Sequence, residues 1–244
     1  MNEPYYYENQ KYSNFLDSQK KEDFKKVSDF ILKYTKADSK ILDVGCGSGN
    51  LLESIDNRVN KYGVDISKTS INKSLNKKLK CKVYDGKSIP FKENEFDLVN
   101  TFNVLEHVDN VETFLSENLR VLKKGGYFVL VCPNFLSTTN NYHWHTSSTT
   151  NKIKNFFNII RKTFYQKYYF EKMQTIDRED FHPDDDACNV TNPIDIINWS
   201  KKYNLSIIYY SSQSVYKSSN IINIIDKTIL KVFFGACFFV FQKN

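Results

Sequence analysis

The ten residues 41–50, with the sequence Ile-Leu-Asp-Val-Gly-Cys-Gly-Ser-Gly-Asn, constrain the fold of this chain more than any other segment. An apolar run typical of a buried strand leads into a turn with Gly45, Gly47 and Gly49 at alternate positions, and a helical pattern begins at Asn50. This spacing indicates a backbone that approaches a ligand closely, because glycine has no Cβ to keep the two apart. In doubly wound α/β sheets, the turn from a strand into a helix is also where nucleotide-like cofactors bind. The segment therefore predicts a class of fold and a cofactor site.

Length and composition are typical of one large soluble domain. The chain has 244 residues, of which 41% are hydrophobic and 25% charged, and its net charge is +6. This charge is lower than that of most dedicated nucleic-acid-binding domains. The five cysteines are scattered without a C-x-x-C pair, which favours reduced thiols in the cytoplasm over disulfides or a zinc site. We expect no secretory signal and no membrane-spanning helix, and we interpret the longest apolar run, residues 232–241, as a buried strand.

Hydrophobic periodicity divides the chain into four parts. Apolar spacings of three and four predict one or two amphipathic helices in residues 1–37, interpreted as an N-terminal helical lid. Strands and helices alternate through residues 38–133, the predicted cofactor-binding half. Residues 134–191 are polar, aromatic and irregular, and we interpret them as a cap inserted after strand 5, because structureless loops of this length are rare. The alternation returns in residues 192–244 with helices and strands 6 and 7.

The predicted elements give a doubly wound fold. Strands are predicted at 40–44, 62–65, 81–84, 96–101, 127–132, 205–210 and 237–242. Helices are predicted at 50–57, 67–79, 111–122, 193–203 and 220–230, with a basic helix near 152–172. Ser67 is the expected N-cap of the helix predicted at 67–79. Lys-Lys-Gly-Gly at 123–126 is the expected C-cap of the helix predicted at 111–122. The alternation predicts an α/β, Rossmann-like, seven-stranded and mostly parallel sheet.

A resemblance to a known family enters with the glycine loop. A dinucleotide fingerprint would have Gly or Ala where this chain has Asn50. Residues 42–50 resemble instead the first motif of class I S-adenosylmethionine (SAM)-dependent methyltransferases, and Leu105-Glu106-His107-Val108 is similar to a motif of one large subgroup. Further matching segments lie at 88–91, 94–99 and 122–126. The resemblance runs to about Pro133, is looser at 192–242, and implies SAM as the methyl donor and S-adenosylhomocysteine as the product.

The resemblance also implies which residues hold SAM. Asp65, which ends the second strand, would bind the ribose hydroxyls, and Asp85 would lie near the adenine amino group. Thr101 and Phe102 fall where the methionine end of the cofactor lies. The other implied contacts come from the loop and the adjacent turns: Asp43, Gly45, Cys46, Gly47, Gly49, Ile66 and Gly86. The alternative is that Asp65 and Asp85 are ordinary helix N-caps.

Histidines are the candidates for the catalytic base. Methyl transfer from a sulfonium is an in-line displacement in which the protein positions the acceptor and, where needed, removes its proton. His143 and His145 lie just past the fifth strand and are the first candidates, with His107 after the fourth strand as the third. Incidental histidines on a surface loop are the alternative interpretation.

No metal site is predicted. In ubiquinone-type O-methyltransferases a Glu-Glu-His set can hold a divalent metal, but Asn103 takes the first position here and leaves only Glu106 and His107. The run 184–186 of three aspartates near His182 is also not expected to bind an ion, because consecutive side chains rarely converge on one.

Charge in the predicted cap bears on the acceptor. Residues 152–172 contain six basic residues and one acid, whereas residues 177–186 contain six acids and one arginine. The two segments could pair with each other, or the basic one could dock an anionic acceptor. The acidic run argues against nucleic acid as a partner, and the interleaved aromatic residues could pack on the sheet or form a homodimer contact.

These observations predict a methyltransferase acting on a small-molecule or saccharide-linked acceptor, with O-methylation favoured over N-methylation. The saccharide suggestion comes from a resemblance of residues 183–195 to microbial methyltransferases of cell-surface saccharide pathways. An RNA methyltransferase and a catalytically silent SAM-binding partner protein are the two alternatives.

Overall fold

The structure, a computed structural model, describes residues 10–19, 21–138, 148–165, 167–176, 185–212 and 228–244. Several sequence predictions fall outside these residues. They are the candidate bases His143 and His145, His182 with most of the acidic run, and most of the helix predicted at 220–230.

The described residues form the predicted alternation of elements. The α-helices are α1 (Gln10–Ser18), α2 (Lys25–Lys33), α3 (Asn50–Ser54), α4 (Lys68–Asn76), α5 (Val111–Val121), α6 (Thr149–Tyr165) and α7 (Pro193–Lys202). The strands are β1 (Lys40–Val44), β2 (Asn60–Asp65), β3 (Lys80–Val83), β4 (Phe96–Phe102), β5 (Leu122–Cys132), β6 (Leu205–Ser211) and β7 (Cys237–Lys243). Short 3₁₀ helices cover Lys21–Phe24 and Ile229–Phe233.

The strands form one mixed, mostly parallel sheet with the order β3-β2-β1-β4-β5-β7-β6. β1 pairs in parallel with β2 on one side and with β4 on the other, and β2 pairs in parallel with β3. The predicted seven-stranded, Rossmann-like α/β fold is therefore confirmed. The strand order reverses beside β1, and ligands of such sheets bind where the order reverses, at the carboxyl ends of the strands.

The chain divides into two compact units. The first comprises Met1–Phe102, Glu112–Val129 and Lys243, and the second comprises Asn103–Val111, Leu130–Gln242 and Asn244. In the first unit the apolar residues of β1 and β4, apart from Phe102, are almost fully buried. Burial on both faces is usual for parallel strands flanked by helices, which explains why most residues of these strands are apolar.

Several predicted boundaries are wrong, including the end of α4, predicted at residue 79 and found at Asn76, and the start of β5, predicted at residue 127 and found at Leu122. α3 ends at Ser54 rather than at residue 57, because the chain turns there and Asp56 Oδ1 accepts a hydrogen bond from Arg58 N at 2.7 Å. The Lys-Lys-Gly-Gly stretch at 123–126 is not a helix C-cap, since β5 begins directly after α5. Gly126 allows β5 to approach β4 instead, because a Cβ there would lie 2.9 Å from a carbonyl oxygen of β4.

The second unit contains α6, α7 and most of β7. α7 begins with the N-cap Asn192, whose side chain accepts from Asp195 N at 3.0 Å, and with Pro193 in its first turn. The predicted continuous strand at 232–241 is corrected: its first residues belong to a 3₁₀ helix, and β7 starts at Cys237 after Gly235, whose φ of 63° interrupts extended backbone. α6 overlaps the basic helix predicted near 152–172 but is shifted toward the N-terminus, since it begins at Thr149 and ends at Tyr165. No helix in the described part of the chain combines the length and apolarity needed to cross a membrane.

Candidate functional site

The glycine loop between β1 and α3 has the conformation that its sequence predicts. All three glycines adopt left-handed backbone, with φ of 81° at Gly45, 51° at Gly47 and 81° at Gly49. β2 holds the loop, because the N–H groups of Gly45 and Cys46 both donate to the carbonyl oxygen of Val64, at 2.8 and 3.0 Å. Residues with a Cβ rarely adopt these φ values. The alternate glycines are therefore a requirement of the turn itself.

Helix α1 lies against this loop. Asn50 Nδ2 donates to the carbonyl oxygen of Leu16 at 2.7 Å. A Cβ on Gly47 would approach Leu16 Cδ1 to 3.3 Å. The N-terminal helical segment thus contacts the predicted cofactor loop directly, as a lid would, although the lid role itself stays a prediction.

Asp65 connects the loop to the turn after β2. Its Oδ2 accepts from Gly47 N at 2.8 Å, and its Oδ1 accepts from Ser67 N at 2.9 Å. The predicted N-cap Ser67 is confirmed, since its Oγ accepts from Ser70 N at 3.1 Å. Asp65 is therefore not the helix cap, and its carboxylate is oriented by two backbone N–H groups at the end of β2.

Asp85 lies after β3 and is exposed. Its Oδ1 accepts from the backbone N–H groups of Ser88 and Lys87, both at 2.8 Å, and these hydrogen bonds lower the pKa of the Asp85 carboxyl below its usual range. The neighbouring Gly86 has φ of 75°, and a Cβ there would lie 3.4 Å from Ile66 Cγ2. The turns after β2 and β3 therefore meet at these two residues.

Asp43 of β1 and Asn100 of β4 are buried polar residues on neighbouring strands. They are paired in register, and Asn100 Nδ2 donates to Asp43 Oδ1 at 2.7 Å. Burial raises the pKa of the Asp43 carboxyl to about 7; the hydrogen bond from Asn100 opposes this shift and the charge of Asp65 adds to it. Asn100 Oδ1 and Thr101 Oγ1 are buried and have no hydrogen-bond partner within the described residues. Sequence analysis missed Asn100, although a polar residue inside the apolar strand β4 was a usable sign.

Two other residues predicted to contact the cofactor, Cys46 and Phe102, pack against side chains of the protein. Cys46 is buried, and a Cβ on Gly63 would lie 2.7 Å from its sulfur and 2.8 Å from that of Cys81. The contact with Cys81 and burial raise the pKa of the Cys46 thiol well above its usual range, so the thiol stays protonated. The ring of Phe102 packs edge-on against Phe24, with centroids 5.6 Å apart.

His107, in the second unit, lies between two acids. Its Nδ1 is 3.1 Å from Asp186 Oδ2, and its Nε2 is 3.7 Å from Glu106 Oε1. The backbone N–H groups of Cys188 and Asn189 donate to the Glu106 carbonyl at 2.8 and 3.0 Å, which fixes the two segments together. The sequence placed Asp186 in an acidic run and did not anticipate its contact with His107. Within the described residues, no three His, Cys, Asp or Glu side chains are arranged to hold a metal ion.

Comparisons with known proteins agree with this geometry. Residues 42–130 match the family described as methyltransferase domain. An uncharacterized methyltransferase of Schizosaccharomyces pombe is 36% identical in an alignment of 116 residues that covers 41% of this chain and 42% of that protein. A ubiquinone biosynthesis O-methyltransferase of Pelagibacter ubique is 29% identical over 69% of this chain and 62% of its own length. The chain thus spans less than half of the first relative and less than two thirds of the second.

Solved structures show the same fold at low identity. A SAM-dependent methyltransferase from Clostridium acetobutylicum has a TM-score of 0.58 at 14% identity, covering 94% of both chains. The PH0226 protein of Pyrococcus horikoshii has a TM-score of 0.57 at 17% identity, covering 98% of this chain and 93% of its own.

Sheet order, glycine loop and matched domain define a Rossmann-like methyltransferase fold. Residues 42–130 match the methyltransferase-domain family, and the chain is similar to class I SAM-dependent methyltransferases. SAM is the cofactor of this class. The residues present fit that cofactor. Between Val44 and the start of α3 the loop carries a Cβ only at Cys46 and Ser48, and β4 supplies two buried oxygens that have no hydrogen-bond partner among the described residues. A bound ligand would satisfy such atoms, which are costly when left unpaired.

Proposed function

We propose that the chain transfers the methyl group of SAM to an oxygen of a small-molecule or saccharide-linked acceptor and releases S-adenosylhomocysteine. The observation that carries the proposal is the left-handed glycine loop with the oriented carboxylate of Asp65 beside it. When bound, SAM supplies a methyl group that its sulfonium has already activated. The protein's own residues therefore need mainly to bind the cofactor, position the acceptor and take a proton.

The environment of each residue supports its proposed role in cofactor binding. Asp65 binds the ribose hydroxyls, because two backbone N–H groups hold its carboxylate in one orientation. Asp85 receives the adenine amino group, because it is exposed and its low pKa keeps it ionised. Asp43, Asn100 and Thr101 bind the methionine end, where the unpartnered oxygens of β4 accept from its ammonium group. The glycines Gly45, Gly47 and Gly49, with Cys46, Ile66, Gly86 and Phe102, provide backbone and van der Waals contacts.

His107 is the proposed proton acceptor among the described residues. Asp186 Oδ2 lies 3.1 Å from its Nδ1, and a carboxylate on that side would favour the proton on Nδ1 and leave Nε2 as the basic nitrogen. Of the other candidates, His143 and His145 remain predictions. An oxygen acceptor requires such a base more than an amine does, because a neutral hydroxyl loses its proton during transfer.

The preference for oxygen has one further support. The Pelagibacter O-methyltransferase aligns with 69% of this chain. The norajmaline N-methyltransferase of Rauvolfia serpentina, 28% identical, aligns with 40%. The longer alignment extends beyond the matched domain, and so includes part of the chain that would contact an acceptor.

Calorimetric titration with S-adenosylhomocysteine tests the cofactor site without requiring the acceptor. The variant Asp65→Ala should weaken binding by about tenfold to hundredfold, the usual effect of losing hydrogen bonds to a charged group. The matched control is Asp29→Ala, an exposed aspartate of α2 paired with Lys25 at the surface, which should bind as the parent does. Absence of binding by the parent chain would refute the proposal.

Transfer of labelled methyl from SAM into a metabolite extract tests the reaction. The expected product is a small molecule or saccharide whose new methyl ether or ester is identified by mass spectrometry. Label that ribonuclease releases would make the chain an RNA methyltransferase. Cofactor binding without transfer into any extract would make it a silent SAM-binding partner protein.

A further inference from the structure

Helix α6 exposes one apolar face. Ile153, Phe157 and Phe164 have 55%, 63% and 81% of their surfaces exposed. With Ile160 they are spaced by four, three and four residues, so all of them lie on one side of the helix. We call these four residues the α6 stripe. Monomeric water-soluble proteins rarely expose such a continuous apolar patch without a function for it.

The opposite face of α6 is firmly attached to the second unit. Ile159 is fully buried and packs with Leu136 and Ile194. Lys162 is also buried, and its Nζ donates to Asp195 Oδ2 at 2.8 Å. These contacts hold the inner face in place, so the α6 stripe cannot turn inward by rotation of the helix.

An apolar groove extends the stripe sideways. Phe156 lies at its edge and packs on Phe233 with ring centroids 5.0 Å apart. The groove has a volume of about 400 Å³, and its lining includes Ile153, Leu230 and Phe234. Leu230 is itself 51% exposed, which widens the apolar surface beyond one helix.

The charges of α6 indicate what covers this surface. The helix contains no acidic residue. Its exposed basic side chains Lys154 and Arg161 lie on one border of the stripe, and Lys152 lies on the other. An apolar stripe between cations is typical of helices that lie in the surface of an anionic membrane. Interfaces between protein subunits are instead depleted in lysine.

We propose that α6 binds the surface of an anionic phospholipid membrane. The α6 stripe enters the headgroup region, while Lys154 and Arg161 contact lipid phosphates. This surface lies wholly in the second unit, and the proposal does not depend on methyl transfer.

Co-sedimentation with vesicles tests the proposal. The full chain is mixed with vesicles of phosphatidylcholine alone, or of equal amounts of phosphatidylcholine and phosphatidylglycerol. We expect sedimentation only with the anionic vesicles and its decrease in high salt. The double variant Phe157→Ser/Phe164→Ser should lower the partition coefficient by about tenfold or more. Lys154→Gln and Arg161→Gln should each lower it by about fivefold.

Two matched variants control for loss of surface apolarity and charge elsewhere. Leu75→Ser removes a 49% exposed leucine from α4, and Lys36→Gln removes an exposed lysine from the first unit; both should sediment as the parent does. Equal binding to neutral vesicles, or unchanged binding of the double phenylalanine variant, would overturn the proposal. A third result would also overturn it: the parent does not bind vesicles but forms a dimer in analytical ultracentrifugation, and the double phenylalanine variant is a monomer. The α6 stripe would then be a contact between two copies of the chain.

Discussion

Replacing Asp43 with asparagine should change how the stability of the first unit depends on pH. Asp43 is buried in β1, and its carboxyl oxygen accepts from Asn100 Nδ2. Asparagine has the same shape and keeps an oxygen for this hydrogen bond. The substitution Asp43→Asn therefore removes an ionisable group from the sheet with little change in packing.

The expected magnitude follows from the pKa of this group. Burial raises the Asp43 pKa from 3.8 to about 7. At pH values below both pKa values, the Asp43 carboxyl is protonated in the folded and in the unfolded chain, so it does not make stability depend on pH. Between the two values the unfolded chain ionises while the folded chain holds its proton, so stability falls as pH rises. A gap of about three units corresponds to about 4 kcal/mol, which is lost in full above pH ~7.

The measurement is the difference in free energy of unfolding between the variant and the parent at several pH values. Urea unfolding is followed by circular dichroism, and by hydrogen exchange of peptides from residues 40–65 to report on the first unit itself. The stability of Asp43→Asn relative to the parent should rise between pH ~4 and pH ~7 by up to about 4 kcal/mol and stay constant above that range. Other titrating groups cancel in this difference.

A flat difference across this pH range would refute the reasoning, because it would mean that Asp43 ionises equally in the folded and unfolded chains. The control Asp29→Asn alters an exposed aspartate paired with Lys25. Exposed pairs of this kind contribute less than about 1 kcal/mol, so the control should show no comparable rise.

Three further predictions concern other parts of the chain. Gly49→Ala should cost more stability than Gly125→Ala. Both glycines have positive φ, but a Cβ at Gly49 also meets Leu79, whereas one at Gly125 meets nothing within 4 Å. Urea unfolding should show a loss of about 1–2 kcal/mol for Gly125→Ala and a larger loss for Gly49→Ala. Asp186→Asn should lower kcat by about tenfold with KM little changed, and Asp186→Glu should recover part of the loss in the methyl-transfer assay. Lys162→Met should cost about 3 kcal/mol in thermal unfolding, since it leaves buried Asp195 without its cation, and Lys162→Met/Asp195→Asn should recover most of that loss.

Features of the fold that depend on residues close together in the sequence could be predicted from the sequence. The glycine loop requires left-handed backbone at fixed positions, and Ser67 caps the helix that begins beside it. The errors arose where one local pattern is compatible with two structures. Lys-Lys-Gly-Gly at 123–126 is typical of a helix end, but α5 passes directly into β5, and Gly126 is required by the close approach of β4.

Contacts between distant segments could not be predicted, because they depend on strand register and on packing of the second unit. Asn100 meets Asp43 only because β1 and β4 align those two residues. Asp186 meets His107 only because residues 188–189 bond to the Glu106 backbone. Even so, Asn100 and Thr101 follow the buried apolar residues of β4, and a buried polar atom without a hydrogen-bond partner costs stability that an apolar atom would avoid. Polar side chains at the end of a buried strand therefore indicate a ligand contact in a sequence of this class, even before their partners are known.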